Sequence, residues 1–193
     1  MSGLLDRVCP VFAACLKCQP HFAGLPLKIE NGPLTISLRI GLGHDTHRLE
    51  PGGPLRLGGI DVPFEHQLVG HSDADVLLHA ITDAILGAAA AGDIGELFPN
   101  TEEANRDRDS AVMLKLAHEK VKQSGYRLVN LDCIVFAQKP KLTPHKVAMR
   151  TRIAEILEVD VSAVSVKAKT GEAVGPVGCG EAMMAECIAM LEK

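Results

Sequence analysis

Hydrophobic and polar positions alternate regularly only from residue 38 onward, and this regular part begins with strand-forming residues. Leu38 to Leu42 predicts a strand that ends in a glycine-containing loop. The stretch from Pro51 to Gly59 is rich in proline and glycine, which predicts turns between short strands. The first part of this region is therefore expected to be built from β-structure.

A helix is predicted from Ser72 to Gly92. Ser72 followed by Asp75 resembles a capping box, with Asp in place of the usual Glu. Apolar residues then recur at helical spacing along one face, at Leu77, Leu78, Ile81, Ile85 and Ala88. This face is expected to pack against the core.

A second helix is predicted to start near Ser110 and to stop at Gly125. Its buried side is predicted to consist of five apolar residues, namely Val112, Met113, Leu116, Ala117 and Val121. Residues 126 to 137 then alternate and predict a strand. Its two faces are Leu128, Asn130 and Asp132 against Val129, Leu131, Cys133 and Val135.

Three further elements complete the chain. Thr143 and Pro144 open a third helix, with proline at its first position, and Ala163 to Lys169 predicts another strand. By propensity alone the tail from Glu181 to Lys193, which is rich in Ala, Met and Glu, is helical. Strands mixed with helices indicate an α+β or mixed α/β domain.

The first 37 residues differ from the rest and are interpreted as an N-terminal extension of unknown role, residues 1–37, before the main domain at 38–193. Cys9, Cys15, Cys18 and His21 are metal-ligand types, but their spacing lacks a second paired half, so a metal site there is disfavoured. A transit peptide is one reading of the segment, although Arg and Ser are not enriched. An over-extended start on a bacterial protein is the other.

Composition narrows the function classes. The 193 residues carry a formal net charge of −4, which argues against a nucleic-acid partner. The longest apolar runs, such as Ala84 to Ala91, are far short of the roughly 20 residues that span a bilayer, so no membrane association is expected. The six cysteines lack the regular spacing of a disulfide scaffold, which favours a reducing compartment.

Asp45, His47 and His79 form the first chemical constellation. In an extended strand, residues 45 and 47 point the same way, which places a carboxylate beside an imidazole. Each element alone is weak, because Asp-x-His pairs are usually surface residues and a lone histidine in an apolar helix is usually a satisfied core residue. Together they supply three oxygen and nitrogen ligands, and catalytic zinc accepts three such ligands with a fourth position open. Asp83, four residues after His79, is a candidate partner for the free ring nitrogen of that histidine.

Two polar loops could complete a site. Gly92 to Gly95, followed by Phe98 to Thr101, is framed by glycines that let backbone N–H groups approach a ligand. Lys167 to Glu172 runs from a strand into a loop and offers two cations, a hydroxyl and a carboxylate, a set suited to phosphates and a divalent cation. In isolation each is equally well an ordinary polar loop.

In order and spacing these motifs resemble the 2-C-methyl-D-erythritol 2,4-cyclodiphosphate synthase family. The resemblance covers Leu38 to the C-terminus and rests on four segments, Arg39 to His47, Gly70 to His79, Gly92 to Gly95 and Ala137 to His145. It implies an α+β fold with a small mixed β-sheet backed by helices, assembled as a homotrimer with active sites between subunits. It also implies that the C-terminal segment is a strand, against its helical propensity.

The resemblance also implies roles for individual residues. Asp45, His47 and His79 are expected to bind zinc, and Glu172 a second cation, magnesium or manganese. His71 and Thr170 are expected to assist the transition state. The implied substrate contacts are Asp45, Thr46, His47, His71, Ser72, Asp93, Ile94, Gly95, Phe98, Pro99, Asn100, Thr101, Glu102, Ala137, Gln138, Lys139, Pro140, Lys141, Leu142, Thr143, Lys169, Thr170, Gly171 and Glu172. Residues 137–143 would come from the adjacent subunit and hold the cytosine and diphosphate.

The implied enzyme is a phosphorus–oxygen lyase of the non-mevalonate isoprenoid pathway. Its substrate is 4-diphosphocytidyl-2-C-methyl-D-erythritol 2-phosphate, whose 2-phosphate attacks the β-phosphorus and expels CMP. This chain departs from the family's pattern at Asn100, Lys169, Pro176 and Cys179. The changes at Pro176 and Cys179 count against feedback through a central isoprenoid-binding cavity.

Two other functions remain open at the level of sequence. One is a zinc-dependent phosphoester hydrolase that uses the same open metal position and makes a linear product. The other is a silent binding protein for isoprenoid diphosphates, which would not need all of the catalytic residues. The expected location is the bacterial cytoplasm, with a plastid as the alternative.

Overall fold

A computed structural model of the chain describes residues 37–193. The interpretation of the N-terminal extension, including the metal site considered at Cys9, Cys15, Cys18 and His21, lies outside the described residues. Within the described part, no helix is long and apolar enough to cross a membrane.

Seven strands and five helices make up the described part, together with short 3₁₀ turns. The strands are β1 (Leu38–Pro51), β2 (Leu55–Leu57), β3 (Ile60–Val62), β4 (His66–Val69), β5 (Arg127–Phe136), β6 (Val164–Lys169) and β7 (Ala182–Glu192). The helices are α1 (Val76–Ala89), α2 (Ile94–Leu97), α3 (Ser110–Gln123), α4 (Lys146–Leu157) and α5 (Gly175–Gly178). The 3₁₀ turns are Glu103–Asn105, Thr143–His145 and Val161–Ala163.

Five strands form one mixed sheet in the order β4-β1-β7-β5-β6. The β5–β6 pair is parallel and the other three pairs are antiparallel. The β2–β3 pair forms a separate small hairpin. The fold is therefore α+β with a small mixed sheet, as expected.

Helices cover one face of this sheet, and α1 packs most closely, along β1 and β7. Gly41 and Gly43 of β1 allow this approach, since a Cβ on either would overlap backbone atoms of α1 at Ala84 and Ala80 respectively. The side chains of α1 are buried almost all round, including Leu77, Leu78, Ile81 and Ile85. This contact fixes where the next residues of β1 lie relative to α1.

The opposite face of the sheet is open, and it is apolar along the first half of β1 and the neighbouring part of β7. Leu38, Ile40 and Leu42 of β1 are 56%, 68% and 67% exposed, and Ile188 of β7 is 50% exposed. Side chains alternate along a strand, so these residues share one face while Gly41 and Gly43 lie on the other. Within residues 37–193, this apolar surface has no cover.

Asp75, rather than Ser72, caps the first helix, so the predicted start was three residues too early. The fully buried carboxylate of Asp75 accepts hydrogen bonds from the N–H groups of Leu77 and Leu78. It also accepts from Gly58 at 2.9 Å and from Gly59 at 2.6 Å. Burial raises the pKa of Asp75, although the backbone N–H groups oppose that effect. One side chain therefore both caps α1 and holds the β2–β3 turn.

The first strand is longer than predicted and does not end in a loop after Leu42. β1 continues to Pro51 because β7 pairs with it from Leu38 to Arg48 and β4 from Arg48 to Pro51. The glycines that suggested a loop are contact points for the helix instead. The C-terminal segment is strand β7, so tertiary pairing overrides its helical propensity.

Two predictions of side-chain placement were wrong, one of burial in α3 and one of the faces of β5. Val112 and Leu116 of α3 are 46% and 39% exposed, whereas Leu114 is fully buried. In β5 a register shift between Leu128 and Asn130 places Leu128, rather than Val129, on the buried side. The other apolar residues of the predicted helix faces, including Leu77, Ile81 and Met113, are buried as expected.

Candidate active site

The three predicted metal ligands meet where β1 passes over the N-terminal part of α1. Asp45 and His47 lie on the helix-facing side of β1, just beyond Gly43. His79 lies in the first turn of α1, and 8% of its surface is exposed. The close glycine contact therefore brings a strand and a helix together at the distance that a shared ligand set requires.

The ligand atoms converge. Oδ2 of Asp45 lies 3.0 Å from Nε2 of His47 and 2.9 Å from Nδ1 of His79. The two ring nitrogens are 3.1 Å apart. Within residues 37–193, these three atoms form the one cluster of potential metal ligands, all within 4.8 Å of one another.

The outer ring nitrogens are held by other groups, which leaves the inner ones free to bind. Nδ1 of His47 lies 2.8 Å from the carbonyl oxygen of Val69, so it carries the proton and Nε2 offers a lone pair. Nε2 of His79 lies 2.8 Å from Oγ of Ser110 and 3.0 Å from Oγ of Ser72. This is the arrangement expected of histidines that ligate a metal.

Asp83 is not the partner of His79 that the sequence suggested. Its carboxylate instead accepts the N–H of Ile94 at 2.8 Å, which ties the start of α2 to α1. Burial raises the pKa of Asp83. Ser110 takes the role predicted for Asp83. The sequence offered little signal for it, because a serine at a helix start is ordinarily read as part of a cap.

Charge is concentrated at the cluster. Burial by itself raises the pKa of Asp45, but interaction with the His47 and His79 rings that face it outweighs burial and holds that pKa well below its usual range. Burial by itself lowers the pKa of His47, but the Asp45 carboxylate raises it above its ordinary value. The carboxylate is therefore ionised and available to a cation at neutral pH.

A cavity of about 180 Å³ opens beside the cluster. Its wall combines the three ligands with many of the predicted substrate contacts and two residues that sequence reasoning missed, Asn105 and Met113. The lining residues are Asp45, His47, His71, Ser72, His79, Ile94, Gly95, Phe98, Asn100, Asn105 and Met113. Nε2 of His71 is buried and has no hydrogen-bond partner among the described residues. An unpaired buried nitrogen on a cavity wall is a group left for a ligand.

The loop that carries Phe98 and Asn100 on the cavity wall is held in place by contacts with Asn105 and Arg108. Asn105 is buried and donates to the carbonyl oxygen of Pro99 at 2.9 Å. Arg108 donates to Asn105 at 2.6 Å and lies over the Phe98 ring, 5.3 Å from its centroid. Asp93 caps α2 by accepting the N–H of Glu96 at 2.8 Å. The loop with Phe98, Pro99 and Asn100 is thus fixed, whereas Thr101 and Glu102 are exposed beside it.

The remaining predicted residues form a second group in another part of the chain. The N–H of Ala137 donates to the carbonyl oxygen of Lys169 at 2.9 Å, which joins the segment 137–143 to the segment 169–172. The hydroxyl of Thr170 donates to Glu172. None of the residues in these two segments lines the cavity beside the metal cluster. Across the sheet, Asp45 on β1 is separated from Ala168 on β6 by two intervening strands, β7 and β5.

Thr46 lies between two ligands but on the other face of the sheet. Its hydroxyl lies 3.2 Å from Nε2 of His44, and its backbone N–H donates to Asp45 at 2.8 Å. Its side chain lines a different cavity, together with Arg48, Glu50 and Pro176. The described part of the chain therefore brings the three metal ligands together with their cavity wall. It also brings the segments 137–143 and 169–172 together, but at a different place.

Comparison with known proteins gives consistent results. Residues 38–192 match the YgbB family. The 2-C-methyl-D-erythritol 2,4-cyclodiphosphate synthase of Rhodopirellula baltica is 50% identical over 161 residues, covering 83% of this chain and 97% of the relative. The enzyme of that name from Shouchella clausii is 55% identical over 156 residues, covering 81% and 98%.

Solved structures agree with these relatives. The bifunctional IspDF of Campylobacter jejuni is 41% identical, with a TM-score of 0.79 over 82% of this chain, which spans 43% of that longer protein. The IspF of Plasmodium falciparum, solved as a CDP complex, is 34% identical, with a TM-score of 0.70 over 80% of this chain and 95% of that one.

Proposed function

The chain belongs to the YgbB family, and from that membership we propose how its two groups of residues carry out one reaction. The reaction is the cyclisation of 4-diphosphocytidyl-2-C-methyl-D-erythritol 2-phosphate to 2-C-methyl-D-erythritol 2,4-cyclodiphosphate, a step of isoprenoid biosynthesis. A 2-phosphate oxygen forms a bond to the β-phosphorus, the bond from that phosphorus to the CMP oxygen breaks, and CMP leaves. The observation that carries the proposal is the convergence of Asp45, His47 and His79 beside an open cavity.

The ligand set fits zinc. One carboxylate oxygen and two imidazole nitrogens are the donors of catalytic zinc sites, and a cavity beside them leaves room for a further ligand. When bound, zinc would supply positive charge to a phosphate oxygen and polarise the phosphorus under attack. The chain's own contribution is to hold the three donors in place through Val69, Ser110 and the packing of α1.

The cavity wall then has a positioning role. The nucleophile is a phosphate oxygen that is already anionic, so the site needs no strong general base. Intramolecular attack between well-oriented groups lowers a barrier by about 7–11 kcal/mol, provided that the substrate is bent so that its reacting atoms meet. His71, with its unpaired Nε2, and the hydroxyl of Ser72 are placed to bind the methylerythritol phosphate portion. Asp93 to Gly95 and the segment 98–102 would enclose its sugar-like part.

We propose that the two loops complete the site from a neighbouring subunit. A substrate with a cytidine diphosphate at one end and a phosphate at the other needs contacts beyond a cavity of about 180 Å³. Residues 137–143 would hold the cytosine and diphosphate. Lys169 to Glu172 would finish the site, with Thr170 assisting the transition state and Glu172 holding magnesium or manganese. Their separation from the metal ligands within one chain supports a site shared between subunits.

The open sheet face supports assembly as a homotrimer. Leu38, Ile40, Leu42 and Ile188 form an apolar surface that the described residues of one chain leave exposed. Burial of such residues stabilises by about 25 cal/mol for each Å² removed from solvent. Three copies around an axis would bury these faces against one another and set each chain's loops beside its neighbour's metal ligands.

The location proposed for this reaction is the bacterial cytoplasm. The relatives named above from Rhodopirellula baltica and Shouchella clausii are bacterial. The spacing of the six cysteines is not that of a disulfide scaffold, which is consistent with a reducing compartment.

Phosphorus NMR of the purified protein with the diphosphocytidyl substrate, zinc and magnesium tests the function. We expect cyclic diphosphate and CMP from the parent, no cyclic product from His79→Ala, and normal turnover from His118→Gln, which changes a histidine outside this cavity. A linear phosphate product would replace the cyclase with a hydrolase. Zinc-loaded parent protein that binds isoprenoid diphosphates but leaves the substrate intact would point to a binding protein.

A further inference from the structure

His79 faces two hydroxyl groups on the side of its ring away from the ligand cluster. Oγ of Ser110 lies 2.8 Å from Nε2, and Oγ of Ser72 lies 3.0 Å from the same atom. Ser110 is fully buried, whereas Ser72 is half-buried on the cavity wall. A neutral imidazole has one N–H, so the direction of this hydrogen bond decides which ring nitrogen is free for a metal.

Asp73 fixes the direction. Its carboxylate accepts the hydroxyl hydrogen of Ser110 and, through its other oxygen, the backbone N–H of Ser110 at 3.1 Å. An ionised carboxylate accepts hydrogen bonds and cannot donate them. The hydroxyl hydrogen of Ser110 therefore points to Asp73, and only its lone pairs face His79. Nε2 of His79 must then carry the proton, which leaves Nδ1 as the bare nitrogen beside Asp45.

Asp73 is itself held in position. Its carboxylate also accepts the backbone N–H of Asp75 at 3.3 Å and lies 3.7 Å from Nε of Arg56. Its own N–H donates to the carbonyl oxygen of Arg108 at 3.2 Å. These contacts join the turn before α1 to the turn before α3, so the relay from Asp73 through Ser110 to His79 is rigid at both ends.

His47 provides the contrast. A backbone carbonyl, that of Val69, sets its tautomer, and no side-chain substitution removes that group. The tautomer of His79 depends on two side chains, neither of which lines the cavity. His79 is therefore the metal ligand whose geometry can be changed without substituting any of the three ligands or a residue that lines the cavity.

We infer that Asp73 and Ser110 are positioning residues that hold His79 in the Nε2–H tautomer and so present Nδ1 to zinc. The relay also leaves the hydrogen of the Ser72 hydroxyl available to substrate, because a protonated Nε2 of His79 cannot accept it. This inference rests on the proposed zinc-dependent function.

The test measures zinc affinity of the full-length, zinc-loaded protein by competition with a chelator. We expect Ser110→Ala and Asp73→Asn each to weaken zinc binding about 10–100-fold, the range for loss of a group that orients a metal ligand. Asp73→Asn is nearly isosteric, but its amide can donate to Ser110 and so reverse the hydrogen bond. Ser110→Thr restores the hydroxyl and should recover affinity. Ser72→Ala removes the other hydroxyl and should leave zinc affinity at the parent value.

Proton NMR of the zinc-loaded protein supplies a second readout that a loss of general stability would not move. The Nε2–H of His79 should give a slowly exchanging signal that persists in Ser72→Ala and is lost in Ser110→Ala. Parent-like zinc affinity in both Ser110→Ala and Asp73→Asn would overturn the inference, as would loss of the signal in Ser72→Ala alone. Neither measurement uses substrate, so a parent protein with the relay intact but no cyclic product would contradict only the proposed reaction.

Discussion

Gly43 of β1 lies directly against the backbone of Ala80 in α1, so closely that a Cβ on the glycine would overlap the carbonyl oxygen of Ala80. Ala80 follows His79, and Gly43 precedes Asp45 by two residues on the same face. We expect Gly43→Ala to destabilise the protein by at least about 2 kcal/mol and to weaken zinc binding, because the helix must move away from the strand.

Gly87 provides the matched control for that substitution. It lies in the same helix, but a Cβ there would meet nothing within 4 Å. Gly87→Ala should stabilise by about 0.5–1 kcal/mol through helix propensity and leave zinc binding unchanged. Urea unfolding and zinc titration of both variants check this. Equal stability of the two variants would contradict the close packing.

Subunit mixing tests whether a site is shared. His79→Ala removes a metal ligand, and Thr170→Val removes a hydroxyl from the loop group, so each variant alone should be inactive. In randomly mixed trimers, one site in each mixed trimer would pair an intact metal group with an intact loop. The mixture should therefore recover about a quarter of the parent activity. No recovery after demonstrated subunit exchange would mean that both groups act within one chain.

The open sheet face should govern assembly. Leu42 is 67% exposed, and Leu42→Lys places a charge in the middle of the apolar surface. We expect sedimentation velocity to show a monomer that has lost cyclase activity. Val147 of α4 is 70% exposed on a helix, away from this face, and Val147→Lys should assemble like the parent. A Leu42→Lys protein that sediments like the parent would exclude this surface as the interface.

Asp75 should carry far more stability than an ordinary helix cap. Its carboxylate satisfies four N–H groups in the core, whereas the exposed Asp109 caps α3 with a single bond to Ala111. Asp75→Ala should cost about 3 kcal/mol or more, because buried donors lose their partner. Asp109→Ala should cost about 1 kcal/mol. Thermal unfolding that ranks the two variants in the reverse order would refute this account.

His118 should make stability depend on pH. It is 6% exposed, and burial lowers its pKa, with the charge of Lys122 acting in the same direction and Glu158 and Glu119 opposing it. The unfolded chain therefore takes up a proton at a higher pH than the folded one. The stability that the protein gains from keeping His118 neutral is complete above the ordinary pKa of 6.5. That stability is lost as the pH falls through 6.5 towards the pKa of the folded state.

His118→Gln should remove that part of the slope. Unfolding free energies measured at pH values on both sides of 6.5 should fall more steeply on acidification for the parent than for the variant. Identical slopes would show that His118 is equally free to protonate in both states.

Much of the site could be predicted because its signals are local. Asp45 and His47 are two apart in a strand, and His79 interrupts an apolar helix. Ser110 could not be found in this way, since it is 31 residues from His79 and only the packing of α3 against α1 brings them together. The exposure of Val112 and Leu116 was also beyond the sequence, because two adjoining apolar stripes on one helix satisfy the same period.

The two faces of β1 serve different purposes, and this limits which insertions and deletions the strand tolerates. Odd positions from Gly41 to His47 pack the helix and bind metal, while even positions from Leu38 to Leu42 form the open apolar surface. A one-residue insertion or deletion between Leu42 and Asp45 would turn the ligands to the wrong side of the sheet. Only a change of two residues would keep the ligands on the same face. The loss of a single codon in this segment should therefore be as damaging as the substitution of a ligand.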